Sequence, residues 1–485
     1  VRLGFDGIAL VPCLSPAPFV PSEVEAHVPA GSLAARRSTS LGKNGWRVAV
    51  QAAAAVLLLA GPAPAQQAAS TPLPVRDAAA ALLPTTAALF DRYVADGKVP
   101  GIVGAFGVGD FPTVFLSAGR IATDADAPAA GPDSLWRIYS MTKPVTAMAA
   151  MLLVEDGRLA LDDPVAKYIP AFARMRVLTA PDASLASVPA QRPITIRMLL
   201  THTSGLGYHI EARGPLLKEY ERLGLLPYTL NAATEAKARA VRPSSLAAFA
   251  DRAAQAPLVA QPGTAWHYSM GLDVLAAVVE KASGQPFARF VQARLLDPLT
   301  MRDTGWQVPA AAAGRFATHY AVVLGRLAPL DPARTSPFLQ PPGFPYGGAG
   351  LVSSARDYDR FLHMLQENGT LDGVRVMKPE TVALALSDLL PAGVAFTPAS
   401  RSMTGARGRL GFGAGGFVTL ADVPGGPAKG TYGWDGAANT LAFVDRARHA
   451  RGTVMVNISP FDVYPLRGDV TTALAQDVAR LRGGK

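Results

Sequence analysis

The order in which the hydrophobic period changes along the chain constrains its fold more than any other feature. Residues 101–108 and 113–118 are short apolar runs split by Gly109-Asp110, the pattern of a β-hairpin. A helix is expected before them over residues 85–96, with Leu89, Phe90 and Tyr93 on one face, and residues 135–138 read as a further short strand. The period then changes: Val145, Met148, Met151 and Leu152 recur at helical spacing until Asp156-Gly157 stops the helix. From residue 157 to about 345 the pattern is mostly helices and loops. The clearest helix spans residues 269–282, where Leu272, Leu275, Ala276 and Val279 share a face. Residues 208–245 carry Tyr, Leu and Pro without a clean period and read as a loop or flap over a site. Strand patterns return at residues 415–421, 431–434, 440–444 and 452–458, and a last helix fits residues 469–481. Strands at both ends and helices between them predict one α/β (α+β) unit built from residues 85–156 and 346–485, with a mostly helical region inserted over 157–345. No internal repeat is visible.

Upstream, Arg36, Arg37, Lys43 and Arg47 precede an apolar run over residues 48–60, and Ala63-Pro64-Ala65 offers a small-residue cleavage site. Residues 1–65 therefore read as a leader with a signal peptide, and a periplasmic or secreted protein is expected. The apolar run is too short for a permanent span, so no stable membrane anchor is expected in the mature form. Residues 66–84, rich in Ala, Pro and Gln, read as a linker. The single cysteine, Cys13, lies in the leader, which excludes an intramolecular disulfide and a cysteine metal site. The seven histidines form no HxH or HExxH pair, so neither a metal nor another cofactor is expected. The formal charge of +9 comes from arginines scattered singly, which is not the clustered pattern of a nucleic-acid partner.

The pattern S-x-x-K occurs twice. Ser40-Leu41-Gly42-Lys43 lies in the leader. Ser140-Met141-Thr142-Lys143 sits where a strand-like run gives way to a helix, with Pro144 in the first turn. There the spacing has meaning, because residues i and i+3 share a helix face and the Lys143 amine can reach the Ser140 hydroxyl. A serine hydroxyl needs a base, and a lysine serves as one only where its pKa is lowered. Tyr268, in Pro262-Gly263-Thr264-Ala265-Trp266-His267-Tyr268-Ser269, is a candidate proton shuttle. In Gly433-Trp434-Asp435-Gly436-Ala437, Gly436 would let backbone approach a substrate, and the Ala437 N–H would join that of Ser140 as an oxyanion hole. Each feature alone also has a plain structural explanation: a capping serine, a half-buried aromatic, a turn.

Together these residues resemble the serine β-lactamase-like superfamily, and most closely the family VIII carboxylesterases. The resemblance covers roughly residues 85–480. It rests on Ser140-x-x-Lys143, Leu199-Leu200-Thr201-His202-Thr203-Ser204-Gly205-Leu206, residues 262–269, the Gly348-Ala349-Gly350 run to Asp357, and Trp434-Asp435-Gly436. It implies an antiparallel sheet flanked by helices plus an all-helical region, with the site in the cleft between them. It further implies that Ser140 is the acyl-accepting nucleophile, Lys143 and Tyr268 the general-base pair, and Ser140 and Ala437 the oxyanion donors. Trp434, Asp435, Gly436, Met270 and His267 are the residues expected against substrate, with packing the more ordinary role for His267. His202 is expected in a structural turn.

Two departures from the β-lactamase pattern agree with each other. The chain has no Lys-Thr-Gly, and Trp434 stands where that lysine would be. Met270 stands where a Tyr-x-Asn motif would put an amide. A charge-assisted hydrogen bond to a ligand is worth about 1.5–3 kcal/mol, so losing it disfavours anionic substrates. The expected activity is hydrolysis of short-chain or aromatic esters, with a small-molecule ester as the expected substrate. Three other readings use the same residues: a β-lactamase or D-alanyl-D-alanine peptidase, an acyltransferase, and a non-catalytic sensor. No G-x-S-x-G is present, which argues against an α/β-hydrolase elbow.

Overall fold

Strands β1 (Gly101–Val108) and β2 (Val114–Gly119) pair antiparallel, as the split apolar runs predict. They form one edge of a seven-stranded sheet. The others come from the far end of the chain: β3 (Leu410–Phe412), β4 (Phe417–Thr419), β5 (Tyr432–Asp435), β6 (Leu441–Asp445) and β7 (Ala450–Met455). The order is β3-β4-β5-β6-β7-β1-β2, and every neighbouring pair is antiparallel. The two chain ends join where β1 meets β7, with Val103 opposite Met455.

This computed structural model describes residues 75–109, 111–226, 230–398, 409–423 and 426–483. All of them fall in one unit of the chain, Gly45–Lys485. The expected leader over 1–65, with Cys13, and residues 66–74 lie outside the described residues. The second half of the expected linker is corrected: α1 (Val75–Leu82) is helical and precedes α2 (Pro84–Ala95).

Period-two alternation sorts the sheet into two faces. Ile102 and Phe106 pack with Leu89, Phe90 and Tyr93 of α2 and with Leu466 and Val470 of α6 (Leu466–Gly483). Val103 and Ala105 point the other way, into the main core, with α3 (Thr142–Glu155), α4 (Gly271–Ser283) and α5 (Ala355–Gln366). Asp477 of α6 caps α2, whose N-cap position holds Leu83: its carboxylate accepts from the Thr85 and Thr86 N–H groups, both at 2.9 Å.

The main core runs without a break from the sheet into the region over 157–345. The change expected at residues 156 and 346 is a change of element type along one continuous core. That middle region also holds two small β pairings that its pattern did not predict, Arg176–Leu178 with Ser187–Pro189 and His319–Val323 with Arg326–Asp331. Residues 208–245 are corrected from a loop to helices at Gly214–Leu223 and Ala232–Arg239. Their ends are set by local chemistry rather than by period. Pro215 opens the first and a left-handed Gly224 closes it, and an Asn231–Thr234 capping box opens the second.

Arg137, on the short strand Trp136–Arg137, is fully buried. Its guanidinium donates to Asp331 at 2.6 and 2.9 Å, to the Ala317 carbonyl at 2.6 Å and to Ser336 at 3.0 Å, and it lies 4.0 Å from the Phe316 ring centroid. The strand pairs with Val352–Ser353, so the segment leading to Ser140 is fixed on several sides.

Candidate active site

Trp136–Arg137 leads into a 3-10 turn, Tyr139–Met141, and then directly into α3. Tyr139 adopts φ +39°, a strained value for a bulky residue. Its buried ring holds it there, 6.4 Å from Phe338 and 5.7 Å from His319 between centroids. Ser140 therefore stands at the head of a helix that is buried from Thr142 to Leu153.

Lys143 shares that burial completely. Its Nζ lies 3.2 Å from Ser140 Oγ and donates to the Gly348 carbonyl at 2.8 Å. Burial pushes its pKa down from 10.5 to about 7, against the opposing pull of the Asp273 and Glu211 carboxylates. Tyr268 donates its hydroxyl to Ser140 Oγ at 2.6 Å, and its ring centroid is 4.6 Å from Lys143 Nζ. Tyr208 faces the same amine at 5.2 Å. The three residues that sequence order associates are thus within hydrogen-bond reach of one oxygen.

His202 sits in the turn expected of it, at φ +57°. Its carbonyl accepts from the His267 N–H at 2.9 Å, and its Nδ1 accepts from the Ser269 N–H at 3.2 Å. It therefore pins the strand of chain on both sides of Tyr268. Burial, with Lys143 nearby, holds its pKa well below 6.5, so it is neutral. Its Nδ1 also lies 2.8 Å from Ser269 Oγ. His267 is half-buried, and burial also lowers its pKa.

An aromatic wall stands beside Tyr268. Trp266 stacks on it at 6.1 Å with an interplanar angle of 18°, and Trp434 lies 5.8 Å away. Phe412 packs against both tryptophans, at 5.7 and 5.2 Å, and Phe396 reaches Trp266 at 4.9 Å. Neither indole N–H has a hydrogen-bond partner among the described residues.

Three expected substrate contacts are placed otherwise. Asp435 is ion-paired with Arg467 of α6, which donates to it at 3.0 Å through Nε. Met270 is 1 % exposed and belongs to the main core beneath Tyr268. Gly436 is needed for a different approach from the one expected: a Cβ there would lie 2.2 Å from Thr440 Oγ1 and 2.4 Å from the Ile138 carbonyl. The close packing is of the β5–β6 turn onto the segment that enters Ser140. It brings Ala437 into the small cluster that contains Tyr139. Among the described residues no backbone carbonyl in a turn, loop or cap takes the Ser140 or Ala437 N–H. Gly436→Ala should force this turn away from the Ile138 carbonyl and lower kcat, with a smaller change in KM. Steady-state kinetics check this, and an unchanged kcat would show that the contact does not set the turn.

Sequence reasoning missed Asp273, Phe396 and Phe412. It gave Gly348 and Tyr208 no role, though Gly348 opens a run that carries the resemblance and Tyr208 opens the segment read as lying over a site. Among the described residues no group of three or more His, Cys, Asp or Glu side chains is placed to hold a metal, and no helix is long and apolar enough to cross a membrane.

Known proteins share this architecture. The family described as Beta-lactamase matches residues 86–476. Protein Rv1367c of Mycobacterium tuberculosis is 38% identical over 322 residues, covering 64% of this chain and 73% of its own. Esterase EstB of Burkholderia gladioli is 34% identical over 373 residues, covering 71% and 82%. The solved structure of EstCE1, described as a hydrolase with promiscuous acyltransferase activity, superimposes with a TM-score of 0.66 at 24% identity, covering 83% of this chain and 99% of that one. A match over most of the chain, on a fold that converges Ser140, Lys143 and Tyr268, places the protein: it belongs to the beta-lactamase family, as a serine hydrolase or acyl-transferring enzyme.

Proposed function

We propose that the protein is a carboxylesterase that hydrolyses short-chain or aromatic esters through an acyl-serine intermediate. The observation that carries this reading is the placement of Ser140 Oγ, 2.6 Å from the Tyr268 hydroxyl and 3.2 Å from Lys143 Nζ, beside a wall of aromatic rings. With Lys143 neutral, the Lys143–Tyr268 pair accepts the Ser140 proton as Oγ bonds to the ester carbonyl carbon. The oxyanion accepts from the Ser140 and Ala437 N–H groups. Collapse breaks the bond to the alcohol oxygen, which leaves with the proton held by the pair. Water then repeats the sequence on the acyl-serine and releases the acid.

Trp434 presents an indole where an anion-binding β-lactamase would present a lysine, which favours neutral acyl groups. The name of the Burkholderia gladioli relative supports an ester substrate, and the description of EstCE1 supports an alcohol as an alternative acceptor. Both acceptors consume the same acyl-serine.

A serine-directed phosphonate followed by intact-mass measurement tests the chemistry: one adduct is expected on the wild type and none on Ser140→Ala. No adduct on the wild type, or an adduct that survives Ser140→Ala, overturns the reading. Turnover of p-nitrophenyl esters compared with a chromogenic cephalosporin tests the substrate class, and a faster cephalosporin reaction overturns it.

A further inference from the structure

Asp273 lies on α4, within the main core that packs this helix against α3, and is fully buried. Its Oδ1 accepts from the Gly348 N–H at 2.8 Å, and the carbonyl of the same Gly348 accepts from Lys143 Nζ at 2.8 Å. One residue thus receives the carboxylate on its amide and the amine on its carbonyl. A Cβ on Gly348 would lie 2.6 Å from Asp273 Oδ2, so the close approach of carboxylate to backbone requires glycine. Oδ2 itself is buried with no hydrogen-bond partner among the described residues. An under-satisfied buried carboxylate is costly, and the core around it would be more stable with an apolar residue of the same shape.

We propose that Asp273 is the positioning residue of the general base: through Gly348 it fixes Lys143 against Ser140, and its negative charge sets the pH above which Lys143 can take the serine proton. This rests on the reading of Ser140, Lys143 and Tyr268 as the reacting group.

The surroundings favour such coupling. Facing the pair are the neutral His202, the rings of Tyr208 and Tyr268, Glu211 from the segment after Tyr208, and Tyr346 with Arg242 behind it. Burial raises the Asp273 pKa to about 6 while Lys143 opposes that rise, so the two groups titrate together just below and at neutrality.

Asp273→Asn separates charge from position, because the amide oxygen still accepts from Gly348. With the anion gone, nothing on α4 opposes the burial of Lys143. The acid limb of kcat/KM should then move to lower pH by about one unit, while kcat on the alkaline plateau changes little. Asp273→Ala removes both functions and should lower kcat at every pH. A purely structural Asp273 would leave the limb where it is in any variant that folds. Phosphonate labelling of the wild type runs alongside. No labelling sinks the reading of Ser140, whereas labelling with an unmoved acid limb in Asp273→Asn overturns the role of Asp273 alone. If Asp273→Asn does not fold, Gly348→Ala takes its place. Its methyl displaces the carboxylate while leaving the charge, so kcat should fall without the limb moving to lower pH. An unaltered kcat there overturns the proposal.

Discussion

Lys143→Met should lower kcat for a simple ester by about 10²–10⁴-fold, the range a positioned base contributes. Methionine fills a similar volume without an amine, so the loss reports chemistry rather than packing. Two pH effects follow from a pKa near 7 in the fold and 10.5 in the unfolded chain. In the wild type, kcat/KM should rise through about pH 7 as Nζ gives up its proton. Stability should behave differently. Between about 7 and 10.5 the unfolded chain binds the lysine proton and the folded protein does not, so wild-type stability should climb with pH over that window. The methionine variant should lack this slope. Rate profiles and denaturant melts at several pH values check both effects. A variant that keeps its rate would remove Lys143 from the mechanism.

Arg137→Met should destabilise the protein by about 3–5 kcal/mol, since it leaves the Asp331 carboxylate buried without its partner. The loss extends to the hydrogen bonds on the Ala317 carbonyl and Ser336. Arg137 also sits on the strand that delivers Ser140, so activity should fall before the midpoint of unfolding. Arg137→Met combined with Asp331→Leu should recover most of the stability, because an apolar pair does not carry the desolvation cost. Denaturant midpoints of the two variants test this. A single variant as stable as the wild type would show that Asp331 finds another partner.

Much of this was legible in the sequence where a local period exists. The β1–β2 hairpin, α3, α4 and the strands β4 to β7 follow alternation or helical spacing, because one side of each packs on a core. Ser140, Lys143 and Tyr268 were legible because a fixed local spacing and a family order point to them. Asp273 was not, since it stands among Leu272, Val274 and Leu275 and reads as an interruption of an apolar face. Its partner is a backbone amide 75 residues away, and backbone groups have no sequence signature. Asp435 was misread for the same reason: its cation, Arg467, comes from another element. Helices over residues 214–239 were missed because their short lengths hide the period and only their caps announce them.

The junction of β1 with β7 has a consequence for synthesis. Val103 must wait for Met455, roughly 350 residues later, before the edge of its hairpin is covered. At translation rates of about 5–20 residues per second, the β1–β2 hairpin spends on the order of 20–70 s with an open edge. Ser140 emerges early in that interval, while Trp434 and Ala437 emerge near its end. A ribosome-bound chain therefore carries a serine and a lysine in sequence but no aromatic wall beside them. The site should therefore become competent late, only once β7 has been made and the sheet can close.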